Sequence, residues 1–166
     1  MEGSGTGANV QPGRIRVGIL DDQRVFRDCL VTLFEQSGME VVACSPDVQG
    51  FRAQVEQAAP DVAIIDIQLD SSDGQEVATG LDVVEWLWSK HPATASLILS
   101  ACWDRPLVER CFHAGAAGYL CKLNVSRAEL LSAVVRVARG ERLIPQKLRA
   151  QLLEEADDEG AGHSAG

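Results

Sequence analysis

The sequence has no Cys-x-x-Cys pair. Its five cysteines, Cys29, Cys44, Cys102, Cys111 and Cys121, are odd in number and scattered, without the spacing of a metal site or a redox dithiol. They read as reduced thiols, buried or partly buried, and a redox role is not expected. No apolar run is long enough to span a bilayer. The opening residues, MEGSGTGANVQPG, are Gly-rich rather than basic and then apolar, so no signal peptide is expected and the cytoplasm is the expected compartment. Basic residues are in deficit, with 15 Lys and Arg against 24 Asp and Glu for a net charge of −9. Five of the acids (Glu154, Glu155, Asp157, Asp158, Glu159) fall in the last thirteen residues, leaving 19 acids against 15 bases elsewhere, or −4. That balance disfavours nonspecific nucleic-acid binding and suits a metal-binding or protein-binding surface. No internal repeat is visible.

What the chain does have is apolar content, 46% over 166 residues, enough for one domain with a sizeable core. Its organising stretch is Pro60-Asp61-Val62-Ala63-Ile64-Ile65-Asp66-Ile67-Gln68. A continuous β-branched run reads as a central strand buried on both faces. An ionised carboxylate is costly to bury unpaired, which places Asp66 where that strand ends and the sheet opens to water. In open parallel sheets, that edge is where ligands bind.

Around this strand the pattern alternates. Residues 1–13 read as a disordered leader. Arg14–Leu20 is a first strand ending in Asp21-Asp22, and Val25/Phe26, Cys29/Leu30 and Leu33/Phe34 mark a first helix stopped by Gly38. Met39–Cys44 is the second strand, and Asp47 caps a helix to about Ala59 bearing Phe51 and Val55 on one face. After the central strand, Leu69–Gly80 is a long polar loop. Leu81, Val84, Leu87 and Trp88 mark the third helix, Ala95–Leu99 a strand running into Ser100, and Pro106–His113 a helix. Gly118–Leu120 is a short strand leading to Lys122, and Ser126 with Glu129 opens a helix ended by Gly140. Five strand–helix alternations argue an α/β, doubly wound parallel sheet with helices on both faces, over residues 14–145. Residues 146–155 are expected to add one C-terminal helix, and 156–166 to be a disordered acidic tail.

The strand ends then gather Asp21, Asp22, Asp66, Ser100 and Lys122 on one rim. Taken singly, Asp21 or Asp22 is better read as a helix cap, Lys122 as a solvated lysine, and Ser100 as uninformative. Their joint occurrence in strand order carries the signal. Three carboxylates side by side imply a hard divalent cation, and oxygen donors favour Mg²⁺. An ammonium and a hydroxyl opposite them suit an arriving anion, and the set matches the needs of phosphoryl transfer to a carboxylate.

The segments DDQRVFRDCL, PDVAIIDIQL, LILSA and GAAGYLCK resemble the receiver domain of two-component response regulators, most closely the receivers that precede a LuxR/NarL-type helix-turn-helix. The resemblance covers roughly residues 14–145. It implies a flavodoxin-like sheet of strand order 2-1-3-4-5. Asp66 is then the phosphoacceptor, and Mg²⁺ is held by Asp22 directly, Asp21 through water, Asp66 and the backbone carbonyl of Gln68. Ser100 and Lys122 bind phosphoryl oxygens, and Tyr119 is the switch aromatic. The implied donor is a histidine kinase. The implied response is a population shift that remodels the face of helix four, strand five and helix five, with an output protein or a homodimer as reader. The chain is then no enzyme beyond autophosphorylation or autodephosphorylation.

The sequence also departs from that family. Asp70 stands where proline is common, Asp73–Gly80 carries about half a dozen extra residues, and either Gly74 or Gly80 can open the third helix. This loop is expected to modulate kinase access or phosphoryl lifetime. Leu123 replaces a common proline after Lys122, so no cis bond is expected there. Gln68 and Cys102 occupy positions that tune dephosphorylation, and Trp103 reads either as a partner contact or as packing. No basic helix-turn-helix follows, so direct DNA binding by this chain is not expected. It reads as a stand-alone receiver or as the receiver fragment of a NarL-type regulator. A pseudo-receiver that binds partners without phosphorylation is the alternative. A haloacid-dehalogenase-type phosphohydrolase is disfavoured, because Gln68 stands where a second aspartate would be the general acid.

Overall fold

In a computed structural model, the described residues are 14–68, 79–101 and 103–163. In chain order they form β1 (Arg16–Leu20), α1 (Arg24–Gln36), β2 (Glu40–Ser45), α2 (Val48–Gln57), β3 (Val62–Ile65), α3 (Gly80–Lys90), β4 (Ala95–Ser100), α4 (Arg105–Ala114), β5 (Gly118–Cys121), α5 (Arg127–Ala138) and α6 (Gln146–His163). The five strands make one sheet in the order β2-β1-β3-β4-β5, and all four pairings are parallel. The expected sheet and its strand order are both present.

The unbroken apolar run of β3 follows from this layering. Successive strand residues face opposite sides, and both sides are covered. Ala63 and Ile65 join Leu20, Phe51, Val55, Leu87, Val108 and Phe112 in one buried layer beneath α2, α3 and α4. Val62 and Ile64 join Ile19, Leu30, Phe34, Leu97, Val134 and Val137 in the other, beneath α1 and α5. Each large aliphatic or aromatic side chain so buried contributes about 1.5–3 kcal/mol, which holds the strand ends in fixed relative positions.

Local signals set the helix starts. Asp47 accepts from the Gly50 N–H at 2.7 Å, and Ser126 accepts from the Glu129 N–H at 3.1 Å, as their sequence positions predict. The start of α3 is a reciprocal capping box between Thr79 and Asp82 that was not anticipated. It settles the choice of glycine: Gly80 is the first residue of α3, where it packs against the backbone that follows Asp66. The expectations on Asp70, Gly74 and Cys102 lie outside the described residues. Among the described residues no peptide bond is cis, including the one after Lys122.

Two expectations are corrected. Cys29 is exposed rather than buried or partly buried, and Val25 beside it on α1 is exposed too, because a helix facing a sheet buries only the Leu30/Phe34 stripe. Trp88 is 66% exposed. It lies over Gly115, whose φ of +115° and lack of a side chain make room for the indole, while Val83 takes the buried place in α3. Finally, α6 runs to His163 rather than ending at residue 155 before a disordered tail. Glu154, Glu155 and Ala156 favour helix, and no proline interrupts them. No described helix is long and apolar enough to cross a membrane.

Candidate functional site

The C-terminal ends of β1, β3, β4 and β5 converge through hydrogen bonds that extend the ladders past the strands. The Asp66 N–H donates to the Leu20 carbonyl at 2.8 Å, the Lys122 N–H to the Ser100 carbonyl at 2.8 Å, and the Asp21 N–H to the Ser45 carbonyl at 3.2 Å. Backbone pairing thus fixes Asp21, Asp66, Ser100 and Lys122 beside one another. Asp21, Asp66 and Ser100 are buried, and Asp22 is half-buried.

Lys122 is the centre of charge. Its ammonium lies 2.7 Å from Asp21 Oδ2 and 3.2 Å from Asp66 Oδ2, and it donates to Gln23 Oε1 at 3.2 Å. The Phe26 ring lies 4.4 Å from Nζ, a cation–π contact. Each carboxylate is also set by local backbone: the Gln68 N–H donates to Asp66 Oδ1 at 3.0 Å, and the Gln23 N–H to Asp21 Oδ1 at 2.8 Å. Arg27 Nη1 donates to the Asp21 carbonyl at 2.7 Å. Gln23, Phe26 and Arg27 were not anticipated as parts of the site. Only the spacing of one helical turn from Asp22 would have pointed to Phe26, and at that spacing it reads equally well as core.

Carboxylate oxygens of Asp21, Asp22 and Asp66 lie within 4.8 Å of one another. All three are hard oxygen donors at one mouth of the sheet, a set that fits a divalent cation such as Mg²⁺. Tyr119 is not on the rim. It sits inside β5, 4% exposed, edge-on to the half-buried Trp103, with centroids 6.0 Å apart and planes at 87°. The two readings of Trp103 resolve toward packing, since it lies against the buried layer that contains Tyr119.

Two carboxylates share one ammonium, and burial pushes the Asp66 pKa above the ordinary carboxylate range. The Gln68 N–H and the Lys122 charge oppose that rise, and the Asp21 charge adds to it. The folded state therefore keeps this proton to higher pH than the unfolded chain does. Stability falls as pH rises from the ordinary carboxylate pKa through the raised folded value. Asp66→Asn retains an oxygen for the Gln68 N–H and leaves Lys122 paired to Asp21. It is expected to raise stability by about 1 kcal/mol at pH 7, with the gain vanishing in acid. Urea unfolding at pH 7 and pH 3.5, without metal, checks this, and a less stable variant at pH 7 contradicts it.

Comparison with known proteins now bears on the same residues. The response regulator receiver domain family matches residues 17–135. Among curated relatives, the transcriptional regulatory protein LnrK of Bacillus subtilis is 28% identical over 142 residues, covering 85% of this chain and 61% of LnrK. The probable transcriptional regulatory protein NarL of Mycobacterium tuberculosis is 30% identical, covering 85% of this chain and 62% of that protein. The chain thus spans about three fifths of the length of these relatives. Among solved structures, the signal receiver domain of the putative NarL from Mycobacterium tuberculosis superposes with a TM-score of 0.69 at 28% identity, over 78% of this chain and all of that one. A LuxR-family response regulator from Aurantimonas shares the fold, with a TM-score of 0.74 at 24% identity over 86% of this chain and 98% of that one. The sheet order, the acidic rim and these relatives agree: the chain belongs to the response regulator receiver domain family of two-component systems, with relatives of the NarL/LuxR type.

Proposed function

We propose that Asp66 accepts a phosphoryl group from a phosphohistidine of a sensor kinase. The observation that supports this most is the buried carboxylate of Asp66 held between a backbone N–H and the Lys122 ammonium, at 3.0 and 3.2 Å. In the transfer, an Asp66 oxygen forms the new P–O bond as the P–N bond to the donor imidazole breaks, and the imidazole takes its proton from solvent. Lys122 stands ready to neutralise phosphoryl oxygens as they arrive, and Ser100 offers a hydroxyl at the next strand end. Asp21, Asp22, Asp66 and the Gln68 carbonyl are the proposed holders of Mg²⁺. The ion, when bound, offsets charge on the transferring group. Small phosphodonors would serve in place of the kinase.

The proposed readout is a shift of Ser100 and Tyr119 that alters the α4–β5–α5 surface for an output protein or a second copy. The relatives carry the names of transcription regulators, so control of transcription is the proposed downstream effect, and DNA contact is not assigned to these residues. The proposed compartment is the cytoplasm, where the described cysteines remain free thiols.

A labelled phosphohistidine donor is expected to pass its phosphoryl group to the wild-type chain in Mg²⁺ and not to Asp66→Asn. Mg²⁺ alone is expected to raise the melting temperature of the wild type, by about 2.7 kcal/mol of stabilisation at one hundred times its dissociation constant. That gain should be lost in Asp22→Asn. A chain that binds partners equally well as Asp66→Asn, and takes no phosphoryl group, is a pseudo-receiver.

A further inference from the structure

Gln23 is the N-cap residue of α1, and its side chain caps nothing. That position favours a short hydroxyl, carboxylate or amide that folds back onto the first turn. Asp47, Thr79, Asp104 and Ser126, at the starts of α2 to α5, are all of those types. Gln23 is too long for that bond. Its amide reaches instead to Lys122, 99 positions away, whose ammonium donates to Oε1 at 3.2 Å. A local preference given up beside a site calls for a functional reason.

An ammonium has three N–H donors and no acceptor. Around Lys122 Nζ stand Asp21 Oδ2 at 2.7 Å, Asp66 Oδ2 at 3.2 Å and Gln23 Oε1, and the Phe26 ring lies 4.4 Å away. Three acceptors for three donors leave the bare rim none to offer. We propose that Gln23 is a positioning residue, holding the Lys122 hydrogen bond that a phosphoryl oxygen takes over. The inference rests on Asp66 being the phosphoacceptor. An arriving phosphoryl oxygen needs an N–H of Lys122, so one of the three bonds must break. Asp21 and Asp66 are buried and charged, and parting either from the ammonium costs the most. Gln23 is exposed and neutral, so its freed amide turns to water at little loss. The bond to Oε1 breaks, the bond to the phosphoryl oxygen forms, and the ammonium keeps its proton throughout. Gln23 thus acts on the transfer through Lys122, and its grip governs how readily the rim accepts an anion.

The test uses the full chain with beryllofluoride and Mg²⁺ as the phosphoryl mimic. It reads affinity for the mimic, affinity for Mg²⁺ alone, and melting temperature in EDTA. Gln23→Ser supplies a true cap and is too short to reach Lys122. It is expected to melt higher than wild type and to bind the mimic about threefold more tightly. Gln23→Glu keeps the reach but makes the bond one between charges, and should bind the mimic about tenfold more weakly. Its affinity for Mg²⁺ alone should be equal or greater, because one more carboxylate stands beside the rim. Both substitutions keep the backbone N–H that donates to Asp21 Oδ1. A mere defect in α1 would weaken both ligands together, so opposite signs on the mimic set the two explanations apart. A Gln23→Ser chain that binds the mimic no more tightly than wild type overturns the role of Gln23 alone, as does a Gln23→Glu chain that binds it equally well. Failure of every form to bind the mimic or take a phosphoryl group overturns the reading of Asp66, and this role with it.

Discussion

Lys122→Met is expected to remove about 3 kcal/mol of stability at pH 7 in the absence of divalent metal, the scale of removing one member of a buried ion pair. Methionine keeps most of the stem that runs past Phe26, so the change isolates the charge. The Lys122 side chain is 7% exposed, and its two partners, Asp21 and Asp66, are 3% and 6% exposed. Without the ammonium, two carboxylates repel each other with little water to screen them. Asp66, already pushed up by burial, loses the Lys122 charge that opposes the rise and holds its proton to still higher pH in the folded state than in the unfolded chain. The loss is therefore full at neutral pH and shrinks as pH falls toward the ordinary carboxylate range. Mg²⁺, supplying the missing positive charge, should restore part of it. Urea titrations at pH 7 and pH 4, with EDTA or with Mg²⁺, check all three points. A variant as stable as wild type at pH 7 in EDTA would show that water, not Lys122, balances the rim.

Gly80→Ala is expected to cost about 2 kcal/mol, although alanine is ordinarily the better helix residue by about 1 kcal/mol. A Cβ at position 80 would stand 2.5 Å from the Asp66 carbonyl oxygen and 2.8 Å from Ile67 Cα. Both obstructing atoms are backbone, so no side chain can swing aside, and overpacking of this kind costs up to about 3 kcal/mol. The atoms pushed belong to Asp66 and its neighbour. The variant should therefore also lose much of its stabilisation by Mg²⁺, a readout that a remote helix defect would leave alone. A Gly80→Ala chain that melts higher than wild type would contradict the close approach of α3 to the site.

The sheet and its rim were legible for one reason. Where both faces of a strand are covered, an ionised residue is excluded and most residues are apolar, so the first carboxylate marks the end of cover. Val62–Ile65 followed by Asp66 shows this, and Asp21, Ser100 and Lys122 stand at the ends of the neighbouring strands. The supports of the site were less legible. Gln23 and Phe26 reach Lys122 across 99 and 96 positions of sequence, and nothing local announces such pairs. Helical periodicity marked α1 and α3 with Val25, Cys29 and Trp88 among their apolar residues, but a sheet leaves room for a narrower stripe and these three stand exposed. Two glycines fit the start of α3 by pattern, and only the approach of Gly80 to the Asp66 carbonyl separates them. The length of α6 was missed because acidic composition was read as disorder, when glutamate and alanine also favour helix.

The measurement that bears most directly on the central claim is the intact mass of the chain after incubation with acetyl phosphate and Mg²⁺. Wild type should gain the mass of one phosphoryl group, fail to gain it in EDTA, and lose it to hydroxylamine as an acyl phosphate does. Folded Asp66→Asn should gain nothing. A wild-type chain that is folded and gains no mass, or an Asp66→Asn chain that gains as much, would contradict the assignment of Asp66 as the phosphoacceptor.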